Sequence, residues 1–402
     1  MTTTGYTLQD GPYPPREQSA RFGFLIAIIA VLILGGLVGF LRVGASHYYV
    51  LTPGNAPVVT ASSACRPAGG GSFSLANGTP CVQLVVPSGK AHDVSGSIMM
   101  VDVYEGKPNI FQYAEYKLGL LSHQDEFLPN AAIVGVGSAS QVQCQNDEEA
   151  VQAVEAAPVA ALTRLGYKVT ESNLGAQIDT VVSGTAAQAA GLRCDDLIVA
   201  INGHPVHTDG DVTTVVKPLK PGQEITVTVQ RPDNQGHART IQIKARLTGT
   251  PAIGQTKAKP DQAFLGIVSE TRTQYNLPFQ VSANVGSIGG PSDGLALTLG
   301  LIDTLDQGKL TNGLKIAATG QIDPDGTVEA IGGAAQKAVA VRHAGATVFF
   351  VPTANYRDAK SEAGSMKVFA VGSLNQALQD LKSLGGQIPA TPGAPTVTTA
   401  AG

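Results

Sequence analysis

The 402-residue chain has no tryptophan, and aromatic residues make up only 5% of it. It lacks any long run of lysine or arginine, and its net charge is −4. Surfaces that stack bases and track phosphates need those features, so nucleic acid is excluded as a partner. Cysteine is scarce: Cys65, Cys81, Cys144 and Cys194, none in a C-x-x-C pair. That argues against a zinc knuckle or a dithiol redox motif. No G-x-x-x-x-G-K-[ST] run occurs, so no ATP-binding loop is expected. His204 and His207 form "HPVH" without a third ligand, and no metal or cofactor site is predicted.

Charged residues are only 14% of the chain, against 43% hydrophobic, and 47 Gly and 24 Pro supply many turns. The length suffices for two or three domains. The stretch "FGFLIAIIAVLILGGLVGFL", Phe22 to Leu41, carries no charge. At about 1.5 Å per residue it reaches roughly 30 Å, the thickness of a bilayer core. "VGAS" at 43–46 resembles a signal cleavage site. Signal cores run to only about 7–15 residues, so an uncleaved anchor is the expectation. Arg16 and Arg21 precede the span, and after Arg42 no Lys or Arg follows until Arg66. This bias puts a short cytoplasmic tail (1–21) inside and the C-terminal domains outside, in a single-pass cell-membrane protein. His47, Tyr48 and Tyr49 then suit the outer interface. Cys65 and Cys81 flank a Gly-rich loop that a disulfide would close in an oxidising compartment. No local feature brings Cys144 to Cys194.

After a transmembrane helix at 22–42, residues 43–80 read as a linker or a loosely structured entry strand. From Cys81, "CVQLVVP" and "SGSIMMVDVYEG" read as strands. "NDEEAVQAVEAAPVAALTRLG" reads as a helix that Pro158 should kink or divide.

A unit of a different kind follows. "SGTAAQAAGL", "CDDLIVAINGHPV" and two alternating strands, "EITVTVQRP" and "RTIQIKARL", resemble a PDZ domain, placed at 161–249. Cys194-Asp195-Asp196 stands where that family has a Gly-Asp pair. The resemblance implies β-augmentation, in which an extended peptide adds a strand to an open sheet edge. The carboxylate-binding loop is expected before Ala176, within "LGYKVTESNLG".

Beyond residue 250, strands and helices alternate. Three pieces stand in order: "GGPSDGL" at 289–295, "AATGQIDPDGTVEAIGGAAQKA" at 317–338 and "AVRHAGATVFFVP" at 340–352. They resemble the Lon-type proteolytic domain, in which a Gly-Pro-Ser motif carries the nucleophile and a lysine the general base. By this resemblance Ser292 is the nucleophile, Lys337 the base, and Thr319 a residue that orients the lysine. The whole arrangement resembles bacterial membrane proteins with a PDZ domain inserted in a Lon-type domain and no ATPase segment. It implies an α/β (α+β) fold with an inserted β-rich PDZ domain and one N-terminal transmembrane helix. The first part of the protease domain would occupy 81–160 and the part bearing the dyad 250–386, before a disordered tail at 387–402. Peptides or unfolded proteins are the implied substrates, and a homo-oligomer, such as a hexameric ring, the implied assembly.

The chemistry is consistent with that assignment. A serine hydroxyl needs a base, and free lysine, with a pKa near 10.4, is protonated at neutral pH. Burial lowers that pKa, and the Ala- and Val-rich surroundings of Lys337 suit burial. Two positions depart from the family. Asp293 stands where Ala usually follows the Ser, and either holds Lys337 protonated or points to solvent in a first helical turn. Gln321 stands where an acid often follows the Thr-Gly pair. These departures keep a second reading open, a non-catalytic PDZ scaffold that binds peptides at the cell surface. His343, near a helix end, reads as a favourable dipole contact rather than a triad histidine.

Overall fold

The computed structural model describes residues 16–69, 72–120, 124–134, 139–233, 237–252, 257–285, 290–390 and 398–399. Most of the expected cytoplasmic tail (1–15), the lead-in 286–289 before Ser292, and 391–397 and 400–402 of the expected disordered tail lie outside the described residues.

Helix α1 (Arg16–Ala45) opens the chain, and its segment Ala27–Ala45 is long and apolar enough to cross a membrane, as a signal sequence also is. Strand β1 (Tyr48–Pro53) follows within three residues. It pairs antiparallel with β5 (Val103–Gly106) and β6 (Glu126–Pro129), and helix α2 (Ile110–Leu118) lies between those two in sequence.

The main sheet has seven strands. In chain order they are β2 (Val58–Thr60), β3 (Cys81–Val85), β4 (Ser97–Met99), β12 (Ser282–Asn284), β13 (Lys315–Ala318), β14 (Val348–Pro352) and β15 (Lys367–Val371). In space the order is β12-β3-β2-β4-β13-β14-β15, with β4, β13, β14 and β15 parallel. Both faces are covered, as a parallel sheet requires. Side chains alternate across it. Ile98, Met100, Ile316, Ala318 and Phe350 share a core with helices α3 (Ala139–Arg164), α6 (Gly294–Leu305) and α8 (Leu374–Ser383). Met99, Val101, Ala317, Phe349 and Val351 face the other way, with α7 (Ala334–His343). Each fully buried Leu or Phe contributes roughly 1.5–3 kcal/mol relative to exposure. Leu295, Leu297 and Leu299 on α6 and Phe349 and Phe350 on β14 are all buried to that degree.

A second sheet interrupts the first. Five of its seven strands, β7 (Thr170–Val181), β8 (Leu197–Ile201), β9 (Glu224–Pro232), β10 (Ala238–Arg246) and β11 (Ile267–Asn276), lie in the order β10-β9-β8-β7-β11. The short pieces His204–Pro205 and Thr398–Thr399, the latter from the expected disordered tail, pair with β8 and β7. Helices α4 (Ala186–Ala190) and α5 (Asp209–Val216) pack with it around Ile178, Ile198, Ile201 and Val227. This sheet is joined to α3 by the Cys144–Cys194 disulfide and by Arg272 of β11, whose guanidinium donates to both oxygens of Glu155 at 2.7 and 2.8 Å.

Several expectations change. Residues 43–80 are not a linker: β1 and β2 lie there, and β2 sits inside the main sheet, parallel to β3 and antiparallel to β4. Its three-residue length, Val58–Thr60, is too short for a periodic signal. Pro158 does not divide its helix, and α3 runs through it. The flanking Ala157, Val159, Ala160 and Leu162 are buried against α6, and that packing outweighs the missing backbone bond. The Cys65–Cys81 disulfide forms, and so does Cys144–Cys194, across 50 residues. The first residues of the expected disordered tail are fixed. Buried Arg164 needs acceptors, and it donates to the carbonyls of Pro389 and Ala390 at 3.0 and 3.1 Å.

Candidate active site

The two faces of the main sheet deliver different residues to one end of its interior strand β13. Thr319 directly follows β13 and is fully buried, its N–H donating to the Phe350 carbonyl at 3.0 Å. From one face comes the turn before α6. Gly290 N–H donates to the Asn146 carbonyl of α3 at 2.9 Å, and the Ser292 carbonyl accepts from Gly320 N–H at 2.8 Å. Gly294 opens α6 so near Ile322 that an added Cβ would come 2.7 Å from its Cγ2. Ser292 is not the helix cap. Asp293 holds that position without a side-chain capping bond, and the Ser292 hydroxyl points elsewhere.

From the other face comes α7. Gly333 precedes it with φ of 66°, a left-handed geometry that glycine adopts readily. One turn into the helix, Lys337 is 2% exposed. Its Nζ lies 2.6 Å from Ser292 Oγ and 3.1 Å from Thr319 Oγ1. Thr319 spends its one proton on the Ser292 carbonyl, at 3.0 Å. It therefore accepts from Lys337, which leaves the lone pair of a neutral amine free to face the Ser292 hydroxyl. The structure thus brings Ser292, Lys337 and Thr319 together.

Burial dominates the electrostatics. It pushes the Lys337 ammonium down to about 8, against the pull of two carboxylates, Asp293 and Asp102. Asp293 is itself 4% exposed, with Oδ1 unpartnered among the described residues. Burial raises it to about 7, with Lys337 lowering it and Asp102 raising it further. Of the two placements open to Asp293, the structure takes the buried one beside the lysine. Asp102, just after β4, accepts from the Asn55 N–H, and burial raises its carboxyl too. No motif pointed to Asp102. The one signal was an acid ending the apolar run "SIMMVD".

Ser292, Lys337 and Asp102 line a cavity of about 950 Å³. Its walls include Leu51, Tyr104 and Leu128 of the small sheet, Asn146 of α3, and Gly290. That volume is at the upper end for a ligand site. His343 is exposed at the far end of α7, and His204 and His207 are exposed as well. Among the described residues, one group of potential metal ligands converges, Cys144, Cys194 and Asp195, and its two sulfurs are consumed by the disulfide.

A second site lies on the interrupting sheet. Strand β11 is an edge, paired on one side with β7 and flanked by α5. Thr271 of β11 accepts from Asp209 N–H at 3.1 Å and donates to its carboxylate at 2.7 Å. The segment expected to hold a carboxylate-binding loop, 165–175, instead runs into β7 from Thr170. The turn that leads into the edge strand is Phe264-Leu265-Gly266-Ile267, where Gly266 has φ of 93° and its carbonyl accepts from Val182 N–H. Sequence reasoning missed it because it follows the other strands of the sheet in the chain instead of preceding them.

Residues 163–244 match the PDZ domain family, and residues 233–381 match the Lon protease (S16) C-terminal proteolytic domain. The chain is also similar to a probable periplasmic serine endoprotease DegP-like of Chlamydia muridarum. They are 28% identical over 135 residues, 31% of this chain and 26% of that protein. A protein of the same description from Chlamydia trachomatis serovar D is 33% identical over 85 residues, 21% of this chain and 16% of that protein. The chain thus spans about a quarter or less of the length of these curated relatives. The crystal structure of the PDZ domain of an SdrC-like protein from Listeria monocytogenes aligns at 21% identity. It covers 24% of this chain and 87% of that one with a TM-score of 0.19, too low to carry an argument.

Proposed function

We propose that this chain, which carries a PDZ domain and a Lon-type proteolytic domain, is a membrane-anchored serine endopeptidase that works without ATP. Ser292 is the nucleophile, Lys337 the general base and Thr319 the residue that orients the lysine. The observation that carries the reading is the 2.6 Å approach of a buried Lys337 amine to the Ser292 hydroxyl.

An amine of pKa about 8 is neutral in about a tenth of molecules at pH 7. At the ordinary lysine value that fraction is a few in ten thousand, so burial supplies a gain of a few hundredfold in competent base. Neutral Lys337 takes the Ser292 proton as the hydroxyl attacks the peptide carbonyl, then returns it to the leaving amine. Amides at the entry to α6, other than those of Gly294 and Leu295 that already donate to the Pro291 and Gly320 carbonyls, receive the oxyanion. Water then releases the acyl group. The edge of β11 recruits an extended peptide by β-augmentation. α1 holds the domains on the outer side of the membrane, and copies assemble into a ring.

The test is cleavage of casein by the full chain. Ser292→Ala and Lys337→Ala should each abolish it while His343→Ala retains it. Equal cleavage by wild type and Ser292→Ala would refute the dyad. One observation favours a second reading, a peptide-binding scaffold without cleavage. The carboxyl of Asp293, buried next to the nucleophile, opposes deprotonation of Lys337. An inactive wild type that still binds peptides at β11 would select that reading.

A further inference from the structure

Beyond the proposed anchor, one apolar face of the molecule is left largely uncovered by the described residues. Phe111 and Leu118 of α2 and Leu120, just past its cap Gly119, are 73%, 71% and 71% exposed. At about 100° per residue, Phe111 and Leu118 fall on one side of the helix. A soluble surface seldom gathers three such side chains within ten positions. Burying even half of each would stabilise a contact, so the question is what covers them.

The position of α2 supplies the answer. Tyr113, its buried residue, packs on Gly44, where an added Cβ would fall 2.5 Å from the tyrosine ring and hydroxyl. Gly44 lies in the last turn of the apolar span Ala27–Ala45. Helix α2 therefore sits level with the end of that span. The surroundings have the composition of an interfacial belt. Tyr48, Tyr113, Tyr116 and Phe127 form a ring cluster, with Tyr116 and Phe127 stacked at 4.5 Å. Lys117 lies 5.3 Å from the Tyr116 ring. Lys107 lies 3.6 Å from the Tyr49 ring and donates to the carbonyls of Ser46 and Tyr48 at 3.3 and 3.4 Å, clamping the exit of α1.

We infer that α2 and Leu120 dock on the headgroup layer of the bilayer as a second, shallow membrane contact beside α1. Lys117 faces lipid phosphates, while the three donors of Lys107 are spent on Ser46, Tyr48 and Asn130, and Phe111, Leu118 and Leu120 enter the boundary below the phosphates. Glu115 lies between Phe111 and Leu118 on the same helical side, which limits the depth to the headgroups. The inference rests on α1 being a membrane anchor. It adds a consequence, because β1, β5 and β6, the sheet that α2 belongs to, wall the cavity at Leu51, Tyr104 and Leu128. Docking α2 fixes how the cavity faces the bilayer.

The absence of tryptophan makes the test direct. Phe111→Trp and Leu118→Trp each introduce a single emitter into the full chain, and Tyr356→Trp, on the remote protease surface, serves as control. Each variant is reconstituted in vesicles of phosphatidylcholine and phosphatidylglycerol, with or without bromine on the acyl chains. The expected result is blue-shifted emission at 111 and 118 and quenching by brominated lipid of about twofold or more, against little for the control. A chain that floats with the vesicles but shows quenching no greater than the control overturns the docking of α2 and leaves the anchor standing. A chain that does not float overturns both. Blue-shifted emission that tracks protein concentration and ignores bromine also overturns it, and assigns the face to a second copy.

Discussion

Two buried aspartates, one in each domain, show how differently the same side chain can be used. Asp196 of the PDZ domain is 0% exposed and saturated. Arg231 donates to it through Nε at 2.6 Å and Nη2 at 2.7 Å, and the Arg193 N–H adds a third bond at 2.9 Å. Asp293 of the protease domain is 4% exposed, and its Oδ1 has no partner among the described residues. A buried carboxylate costs several kcal/mol unless it is paired and hydrogen-bonded. Asp196 meets that demand and is structural. Asp293 does not, and its carboxyl moves to about 7 while it acts on the lysine beside it. Polar satisfaction, more than burial, separates an acid that holds a fold from one whose charge is left to act on a neighbouring group.

The largest expected effect tests the protease side. Lys337→Met should lower casein cleavage by about 10³-fold or more, as loss of a general base does, without lowering the denaturation midpoint at pH 7. The sign follows from linkage. The folded value of Lys337 is depressed from 10.5 to about 8, so its contribution to stability is present above 10.5 and lost as pH falls through 8. The folded value of Asp293 is raised from 3.8 to about 7, so its contribution is present below 3.8 and lost as pH rises through 7. The pair therefore contributes least between about pH 7 and 8. Denaturation across pH should show that minimum in wild type and a flatter curve in the Lys337→Met, Asp293→Asn double variant.

On the PDZ side, Arg231→Leu leaves Asp196 buried without its cation, held only by the Arg193 N–H. The PDZ transition in urea should lose about 3–5 kcal/mol, while the pH profile of any remaining cleavage stays in place. If that profile moves, the two aspartates do not differ in the way described. Thr319→Val keeps the shape and removes the hydroxyl that accepts from Lys337. Cleavage should fall by about 3- to 10-fold, the worth of one hydrogen bond, with the pH profile retained. Asp293→Asn is the smallest and sharpest change. Without its charge the folded pKa of Lys337 falls, so the alkaline-rising limb of kcat/KM should move to lower pH and the rate at pH 7 rise by about severalfold. An unmoved limb would show that Asp293 does not act on the lysine.

Much of this arrangement was legible in the chain. The "GGPS" turn, "ATG" and "IGGAAQK" named a serine and a threonine that the fold brings within 3.1 Å of the amine of the lysine named with them. The apolar span and the PDZ strands followed from length and alternation. What failed to show has physical causes. β2 takes its place from neighbours on both sides and not from three residues of pattern. The turn before β11 occurs at the far end of the PDZ segment, where chain order gave no reason to look. Asp102 belongs to no motif because its proximity to Lys337 is created by strand neighbours that are far apart in sequence.

The sequence by itself determined which motif residues could do chemistry and which of the longer segments would be helix, strand or apolar span, because those depend on residue type and near neighbours. Only the tertiary structure decided that Ser292 and Lys337, 45 residues apart and carried on opposite faces of one sheet, meet at the end of β13. It also decided that Asp293 meets them there with its Oδ1 unpartnered among the described residues. The protonation of the lysine is set by how completely water is removed from it, and that depends on packing from both faces at once, which no local stretch of chain encodes.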